Sequence, residues 1–293
     1  MILNQYFHLQ IAIKLGYNNI SSIEFRSFQE LQNITELDLS NNRIENLKAN
    51  IFEECDCTIF RLNNNLISNL SHVDIFANLT GMRHLNLSYN FITELGRKHF
   101  TTKKLYELSE IDLSHNNISD LTGNVFEKFV SIRSIDLSYN SLTKIGFSAF
   151  GTIPTLLDLD ISHNQIKDIT NGGVSSLLSV KTIYANDNQL EKMFPISVAV
   201  NTIHLENNRI NTIGGNAFPV INAILKIYLE NNNISKLDDD TFSTCLSLNT
   251  LSLARNKFTQ VPQRALSPLT SLQYLDLSNN QLTKLGRTKF EIV

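Results

Sequence analysis

The chain has 293 residues, of which 42% are hydrophobic and 18% are charged, and its formal net charge is −3. This composition can fill a substantial core, but it lacks the basic excess that a nucleic-acid-binding protein needs to neutralise phosphates. It argues against nucleic acid as a partner, and no run approaches the roughly 20 apolar residues that cross a bilayer.

The two ends of the chain bear on its domain organisation. Residues 1–8 lack the basic start and the apolar run of a secretory signal, and residues 10–31 already fit the repeat described below. Residues 290–293 stop inside a repeat. We therefore expect residues 1–293 to form a single solenoid domain that is a segment of a longer array, with export and membrane-attachment signals outside this segment.

One pattern recurs along the whole chain. A clear copy begins at Ile34, with apolar residues at its positions 1, 4, 6, 11 and 14 and asparagine at position 9, which is Asn42. Position-9 asparagines follow one another at intervals of 20 to 26 residues, most often 24, which predicts about twelve repeats. They are Asn18, Asn42, Asn65, Asn90, Asn116, Asn140, Asn164, Asn188, Asn208, Asn232, Asn256 and Asn280.

Positions 3 to 7 of each repeat alternate between polar and apolar residues. In a strand, the apolar side chains at positions 4 and 6 point to one face and those at positions 3, 5 and 7 point to the other. Because one such strand cannot bury its apolar face alone, stacked neighbours form a parallel sheet and a continuous core. The predicted fold is an α/β solenoid: a right-handed, horseshoe-shaped superhelix with a parallel, concave β-sheet and about twelve repeats of roughly 24 residues.

Position 9 lies where the chain turns off the predicted strand. Backbone groups in a buried turn need partners, and an amide side chain serves both donors and acceptors. We predict that the twelve asparagines form a structural ladder. A phenylalanine ten residues after most of them, such as Phe52, predicts a second packed row on the convex side, in extended or short 3₁₀ segments. The short repeat between Asn188 and Asn208 lacks this segment, which predicts a local change of curvature.

The strand motif also carries a family resemblance. Runs such as Leu-Asp-Leu-Ser-Asn-Asn (37–42) and Ile-Asp-Leu-Ser-His-Asn (111–116) resemble the extracellular leucine-rich-repeat class that includes Toll-type receptors, Slit, connectin and chaoptin. The resemblance covers essentially the whole chain and is greatest to the chaoptin type of adhesion protein, although Cys-rich caps are absent from this sequence. It implies an adhesion glycoprotein that is secreted or held at the extracellular face of the plasma membrane. The alternative is the ligand-binding ectodomain of a Toll-type immune receptor.

Serine, histidine and aspartate converge at 112–115 and again at 160–163. A hydrolase triad is one interpretation, but solvent-facing positions of a repeated motif imply neither an oxyanion hole nor a pocket. Cys55, Cys57 and Cys245 fall on core positions, and Cys-x-Cys without further ligands is a weak metal signal. We therefore predict buried thiols, no catalytic residues, no metal site and no cofactor, in a protein that is not an enzyme.

Seven N-x-Ser/Thr sequons are candidate glycosylation sites, a number close to what chance predicts in so asparagine-rich a sequence. Asn86 stands at position 5, on the predicted concave face, so a glycan there would block that end of the face and move the contact to a lateral edge. The seven are Asn19, Asn33, Asn69, Asn78, Asn86, Asn117 and Asn233.

The predicted concave face carries a line of tyrosines and histidines, at position 8 of four successive repeats and then at position 5 of the next three. Aspartates occupy position 5 of three consecutive strands, about 5 Å apart, which is unfavourable unless a partner relieves it. Tyrosine is enriched at protein interfaces; alternatively, these residues only suit an exposed strand. We predict a protein partner, with a second copy on an opposing cell as one option, bound by Tyr89, His115, Tyr139, His163, Tyr184, His204, Tyr228, Asp112, Asp136 and Asp160.

Overall fold

The computed structural model describes residues 11–285, except 25–26, 29–33, 49–50, 53–54, 56, 71–74, 77–78, 80 and 101–105. Twelve strands, one from each repeat, form a single parallel sheet in chain order. The strands are β1 (Ile11–Lys14), β2 (Ile34–Asp38), β3 (Ile59–Arg61), β4 (His84–Asn86), β5 (Glu110–Asp112), β6 (Ser134–Asp136), β7 (Asp158–Asp160), β8 (Thr182–Tyr184), β9 (Thr202–His204), β10 (Lys226–Tyr228), β11 (Thr250–Ser252) and β12 (Tyr274–Asp276).

The strands stack in register, so equivalent positions of successive repeats lie side by side. Ile111 pairs with Ile135, which pairs with Leu159, and these position-4 side chains are buried. Burying apolar side chains at the same level in every repeat makes one continuous core, which is the main source of stability in such a fold. The parallel solenoid predicted from the repeat is confirmed.

Little helix connects the strands, as the short repeats predict. The described connections contain one 3₁₀ helix (Arg97–Phe100), one α-helical turn (Gln263–Leu266) and two pairs of short strands. Those pairs are Glu94–Gly96 with Asp120–Thr122, and Lys144–Ile145 with Asp168–Ile169. Among the described residues, none of the helices has the length and apolar character needed to cross a membrane.

Phenylalanines pack behind the sheet in rows. Phe28 stacks on Phe52 with ring centroids 5.8 Å apart, and Phe126 stacks on Phe150 at 6.1 Å. The row is interrupted in the short repeat, where Met193 and Phe194 are buried instead. The sheet itself continues through this repeat without a register shift, because Thr182 pairs with Thr202. The curvature change stays a prediction.

Candidate protein-binding site

The ladder asparagines join each repeat to the one before it. Asn140 donates Nδ2 hydrogens to the backbone oxygens of Leu137 and Ser138 in its own turn, and to that of Leu113 in the preceding repeat, at 3.0 to 3.1 Å. Its Oδ1 accepts the backbone N–H of Ile118, also in the preceding repeat, at 2.9 Å. The same four-bond pattern recurs from Asn42 to Asn280, and the bonds that Asn18 makes to described residues are to its own turn.

Position 8, directly before the ladder asparagine, has a left-handed backbone in all twelve repeats, with φ between 52° and 56°. Tyr89, His115, Tyr139 and His163 occupy this position, three residues beyond the end of a strand. Their backbone N–H groups still bond the next repeat, as the Tyr139 N–H does to the backbone oxygen of Ser162 at 3.1 Å. They form a row just beyond the ends of the strands, the position-8 ridge.

The rings of the position-8 ridge stack continuously. Centroids of Tyr89 and His115 lie 4.0 Å apart, those of His115 and Tyr139 4.2 Å, and those of Tyr139 and His163 4.1 Å, with interplanar angles of 8° to 10°. Such close, nearly parallel rings fix one another's orientation. The ridge continues beyond the rings, since His163 Nε2 lies 3.5 Å from a carboxylate oxygen of Asp187.

A second, separate aromatic stack lies on the sheet. Tyr184 and His204 on β8 and β9 have centroids 4.8 Å apart, and His204 and Tyr228 on β10 are 4.6 Å apart. The line predicted from the sequence therefore consists of two separate ring stacks, one at position 8 and one at position 5. Partial burial raises the pKa of the Tyr184 hydroxyl, and the negative charges of Asp158 and Asp160 raise it further.

Asp112, Asp136 and Asp160 are adjacent on β5, β6 and β7, as predicted. Each carboxylate accepts the backbone N–H of the serine two residues later, at 2.8 to 3.0 Å, so these aspartates cap the turn. Burial raises the pKa of Asp136; hydrogen bonds from Ser138 oppose this, while Asp160 and Asp112 add to it.

The same hydrogen bonds oppose the triad interpretation. The hydroxyl of Ser114 donates to Asp112 at 2.7 Å, and the imidazole of His115 stacks between two tyrosines. A nucleophilic serine must instead be hydrogen-bonded to the histidine that takes its proton. These serines and aspartates therefore stabilise the local backbone turn through hydrogen bonds.

The remaining candidates are distributed between surface and core. Among the sequons, Asn19, Asn69 and Asn117 are exposed, Asn86 and Asn233 are partly buried, and Asn33 and Asn78 lie outside the described residues. The cysteines at 55, 57 and 245 are buried in the core. Burial raises the pKa of the Cys245 thiol to about 11, against a small opposing hydrogen bond with Thr244.

A cleft of about 380 Å³ in repeats 9 to 12 was missed by the sequence analysis. It is lined by Glu206 and Glu230 at position 7, by Arg255 at position 8, and by Asp276 on β12. One carboxylate oxygen of each glutamate is fully buried and has no hydrogen-bond partner among the described residues. The available signal was glutamate at position 7, where six other repeats carry serine.

A parallel solenoid with an exposed polar sheet face offers an extended binding surface along its length. The chain belongs to the leucine-rich repeat family, whose model matches residues 11–57, 98–142, 130–190 and 222–282. The solenoid fold of this family is typical of protein–protein interaction modules, and domains of the family are in general not enzymes.

Comparisons with individual proteins agree with the family. Residues of this chain are 29% identical to Tsukushi of Gallus gallus over 113 residues, which are 38% of this chain and 30% of that protein. An internalin of Listeria monocytogenes superposes with a TM-score of 0.65 at 20% identity, covering 92% of this chain and 74% of the other. The leucine-rich repeat domain of APL1B gives 0.66 at 21%, covering 94% and 75%. At this level of identity, the structural likenesses show the fold.

Proposed function

We propose that this chain is an extracellular recognition module of the cell-adhesion type, which binds another protein along the position-8 ridge and the adjoining sheet face. Half-exposed tyrosines support the proposal, because Tyr89 and Tyr139 on the ridge are 51% and 46% exposed. Tyrosine brings a large contact area with a polar tip and is frequent among the residues that dominate binding energy. Stacking holds these rings in place before a partner arrives, which lowers the entropic cost of binding.

One observation carries the proposal: tyrosines occupy a backbone conformation that does not suit them. Asparagine tolerates a left-handed φ better than tyrosine does, and asparagine fills position 8 in five other repeats. The fold alone therefore favours asparagine at Tyr89 and Tyr139. Strain retained at exposed aromatic residues is characteristic of a surface selected for contact.

The extracellular location rests on the resemblance of the strand motif to extracellular leucine-rich-repeat proteins. Exposed sequons at Asn19, Asn69 and Asn117 are accessible to glycosylation, as an exported adhesion glycoprotein of the chaoptin type would require. The partner is a protein on an opposing cell, and a second copy of this chain is one such partner.

The proposal is tested by binding of the soluble chain, displayed in multiple copies, to cells and to beads that carry the same chain. Tyr139→Ala should weaken binding by about 2 kcal/mol, roughly 30-fold, without lowering the melting temperature. Phe147→Ala is the matched control, because Phe147 is 78% exposed but belongs to a turn outside the sheet and the ridge. Undiminished binding by Tyr139→Ala and His163→Ala would exclude the position-8 ridge as the binding surface.

Glycopeptide mapping of Asn86 decides between the sheet face and a lateral edge. The Asn86 amide oxygen accepts hydrogen bonds from the backbone and hydroxyl of Ser88, at 2.9 and 2.7 Å, and the residue is only partly exposed. We expect low occupancy at Asn86 and high occupancy at Asn117. Full occupancy at Asn86 with normal binding would place the contact away from this end of the sheet face.

A further inference from the structure

Exposed apolar side chains follow the edge of the solenoid where the strands of repeats 6 to 11 begin. Each lies two residues before position 1 of its repeat, or three residues before it in repeat 10. Their exposure reaches 66% in repeat 8 and 81% in repeat 10. We call this set the apolar edge row, and its members are Val130, Pro154, Leu178, Val198, Ile221 and Leu246.

The backbone carbonyls beneath the apolar edge row are bonded within the array. The hydroxyl of Ser179 donates to the carbonyl oxygen of Pro154 at 2.6 Å, and the hydroxyl of Ser271 donates to that of Leu246 at 2.8 Å. Because these carbonyls already have partners, the row can be buried against another surface without losing their hydrogen bonds.

The residues around the apolar edge row are uncharged. Protein surfaces are usually about a quarter charged residues, and monomeric proteins rarely expose a contiguous apolar patch of several hundred Å². This edge therefore has the character of an interface. No Asp, Glu, Lys or Arg occurs in six equivalent segments of repeats 7 to 12: 152–155, 176–179, 196–199, 220–223, 244–247 and 268–271.

The area of the apolar edge row suits a modest dimer interface. Its side chains expose roughly 400 Å² of apolar surface, at about 100 Å² for a complete aliphatic side chain. The neighbouring Val220, which is 85% exposed, and the serines and threonines between the members enlarge the same surface. Together they approach the roughly 600 Å² per partner at which stable interfaces begin.

The apolar edge row is complementary to a second copy of itself. A two-fold axis that passes between repeats 8 and 9, perpendicular to the row, reverses the order of the repeats in the second copy. Every apolar member then meets an apolar member of the other copy. The facing pairs are Leu178 with Val198, Pro154 with Ile221, and Val130 with Leu246.

The charges beside the row agree with this arrangement. Asp158 and Lys226 are the first residues of β7 and β10, both are exposed, and neither makes an ion pair with another described residue. The two-fold axis sets Asp158 of each copy opposite Lys226 of the other. A register shifted by one repeat would instead bring Lys181 against Lys226 or against its own copy, so the charges favour this one register.

We propose that two copies of this chain associate side by side through the apolar edge row in this antiparallel register. The inference goes beyond the proposed function, because it concerns assembly of the chain with itself and not capture of a partner. The position-8 ridge lies at the opposite ends of the strands, so both ridges of the dimer stay accessible. Two linked ridges would bind a multivalent partner more tightly than one.

Sedimentation velocity of the intact chain, over about 1 to 300 µM, measures the association. We expect a monomer–dimer equilibrium with a dissociation constant of about 1–100 µM, because the interface lies at the lower end of the usual sizes. Leu178→Glu with Ile221→Glu should weaken dimerisation about 100-fold, since carboxylates would be buried against apolar side chains. A native chain that stays monomeric over the whole range, including one that binds phosphatidylcholine vesicles instead, would overturn the proposal.

Phe91→Glu with Phe147→Glu is the matched control. It adds the same two charges at apolar side chains that are 50% and 78% exposed and lie outside the apolar edge row. This control should dimerise as the native chain does. Equal weakening by the two double variants would show that dimerisation depends on net charge, and would overturn the proposal.

Exchange of the facing charges tests the antiparallel register. Asp158→Lys should weaken the dimer about tenfold, because it sets two cations against each other, and adding Lys226→Asp should restore the dissociation constant to within about threefold. Failure of the exchange to restore dimerisation would overturn this register.

The dimer and the proposed binding function fail separately. Tyr139→Ala should dimerise normally but capture less partner, whereas Leu178→Glu with Ile221→Glu should keep the affinity of a single ridge for the partner. If Tyr139→Ala and His163→Ala keep full partner capture while the dimer forms as expected, the ridge assignment is wrong and the dimer stands.

Discussion

Repeats 5 to 7 and repeats 9 and 10 share the same backbone conformation but use their polar side chains differently. In repeats 5 to 7, Asp112, Asp136 and Asp160 cap the backbone of the serine two residues later. In repeats 9 and 10, Glu206 and Glu230 replace that serine, and each has a buried oxygen without a partner among the described residues.

This difference separates two kinds of polar residue within one array. The acidic column of repeats 5 to 7 looks like a binding site in the sequence, yet each of its aspartates uses one carboxylate oxygen to cap its own turn. The glutamates of repeats 9 and 10 are inconspicuous in the sequence, yet each has a buried oxygen without a partner among the described residues. Accounting for hydrogen bonds therefore distinguishes the two kinds better than counting charges.

The largest expected effect comes from the ladder. Asn140→Ala leaves buried backbone groups in two repeats without hydrogen-bond partners. It should lower the free energy of unfolding by about 1–3 kcal/mol, measured by urea denaturation. Asn117→Ala is the control, since Asn117 is exposed and its side chain makes no hydrogen bond to any described residue. If Asn140→Ala keeps normal stability but loses partner binding, the ladder asparagine serves binding rather than stability.

A matched pair of serines tests the comparison directly. Ser114→Ala removes a hydroxyl that donates to Asp112 at 2.7 Å, and it should cost about 0.5–1.5 kcal/mol of stability. Ser252→Ala removes a buried hydroxyl that has no partner among the described residues, and it should leave stability unchanged or raised. Thermal unfolding of both variants measures the difference, and equal losses would show that Ser252 is satisfied by a bound ligand or water.

The smallest effect concerns Asp136, whose pKa burial raises above its usual 3.8. The stability from such a carboxyl is fully present below its unfolded pKa and is lost as pH rises through the higher folded pKa. Asp136→Asn keeps the oxygen that caps Ser138 and removes one charge between two others. It should stabilise the chain by a few tenths of a kcal/mol at pH 7 and not below about pH 4.

Melting curves from pH 3 to pH 8 check this prediction. Asp38→Asn is the contrasting variant, because Asp38 makes the same cap to Ser40, at 2.9 Å, but lies between Lys14 and Arg61 and should lose stability at pH 7. A gain at pH 7 that is equal in the two variants would mean that the neighbouring aspartates contribute nothing.

Sequence periodicity was sufficient to predict the sheet, the turn asparagines and the small amount of helix. Each of these depends on residues that recur in every repeat, such as the apolar pair Leu37 and Leu39 around a strand and Asn42 after it. Periodicity also placed the three position-5 aspartates side by side, because register follows directly from stacking equivalent positions.

The site was harder to predict, for two physical reasons. Simple alternation would place position 8 on the buried face with positions 4 and 6, whereas the left-handed backbone at Tyr139 ends the alternation and leaves its ring exposed. The cleft depends on which hydrogen bonds are made, and a sequence does not show that Ser114 has a partner while Ser252 has none among the described residues.

The asparagine ladder also has a mechanical consequence. Every ladder asparagine bonds its turn to the preceding repeat, so a force that pulls the two ends of the array apart acts on all of these bonds in series. Each repeat that peels away would release about 80 Å of chain, from roughly 24 residues that occupy about 5 Å along the stack. Under tension, such an array unfolds repeat by repeat and lengthens greatly before the last repeat unfolds.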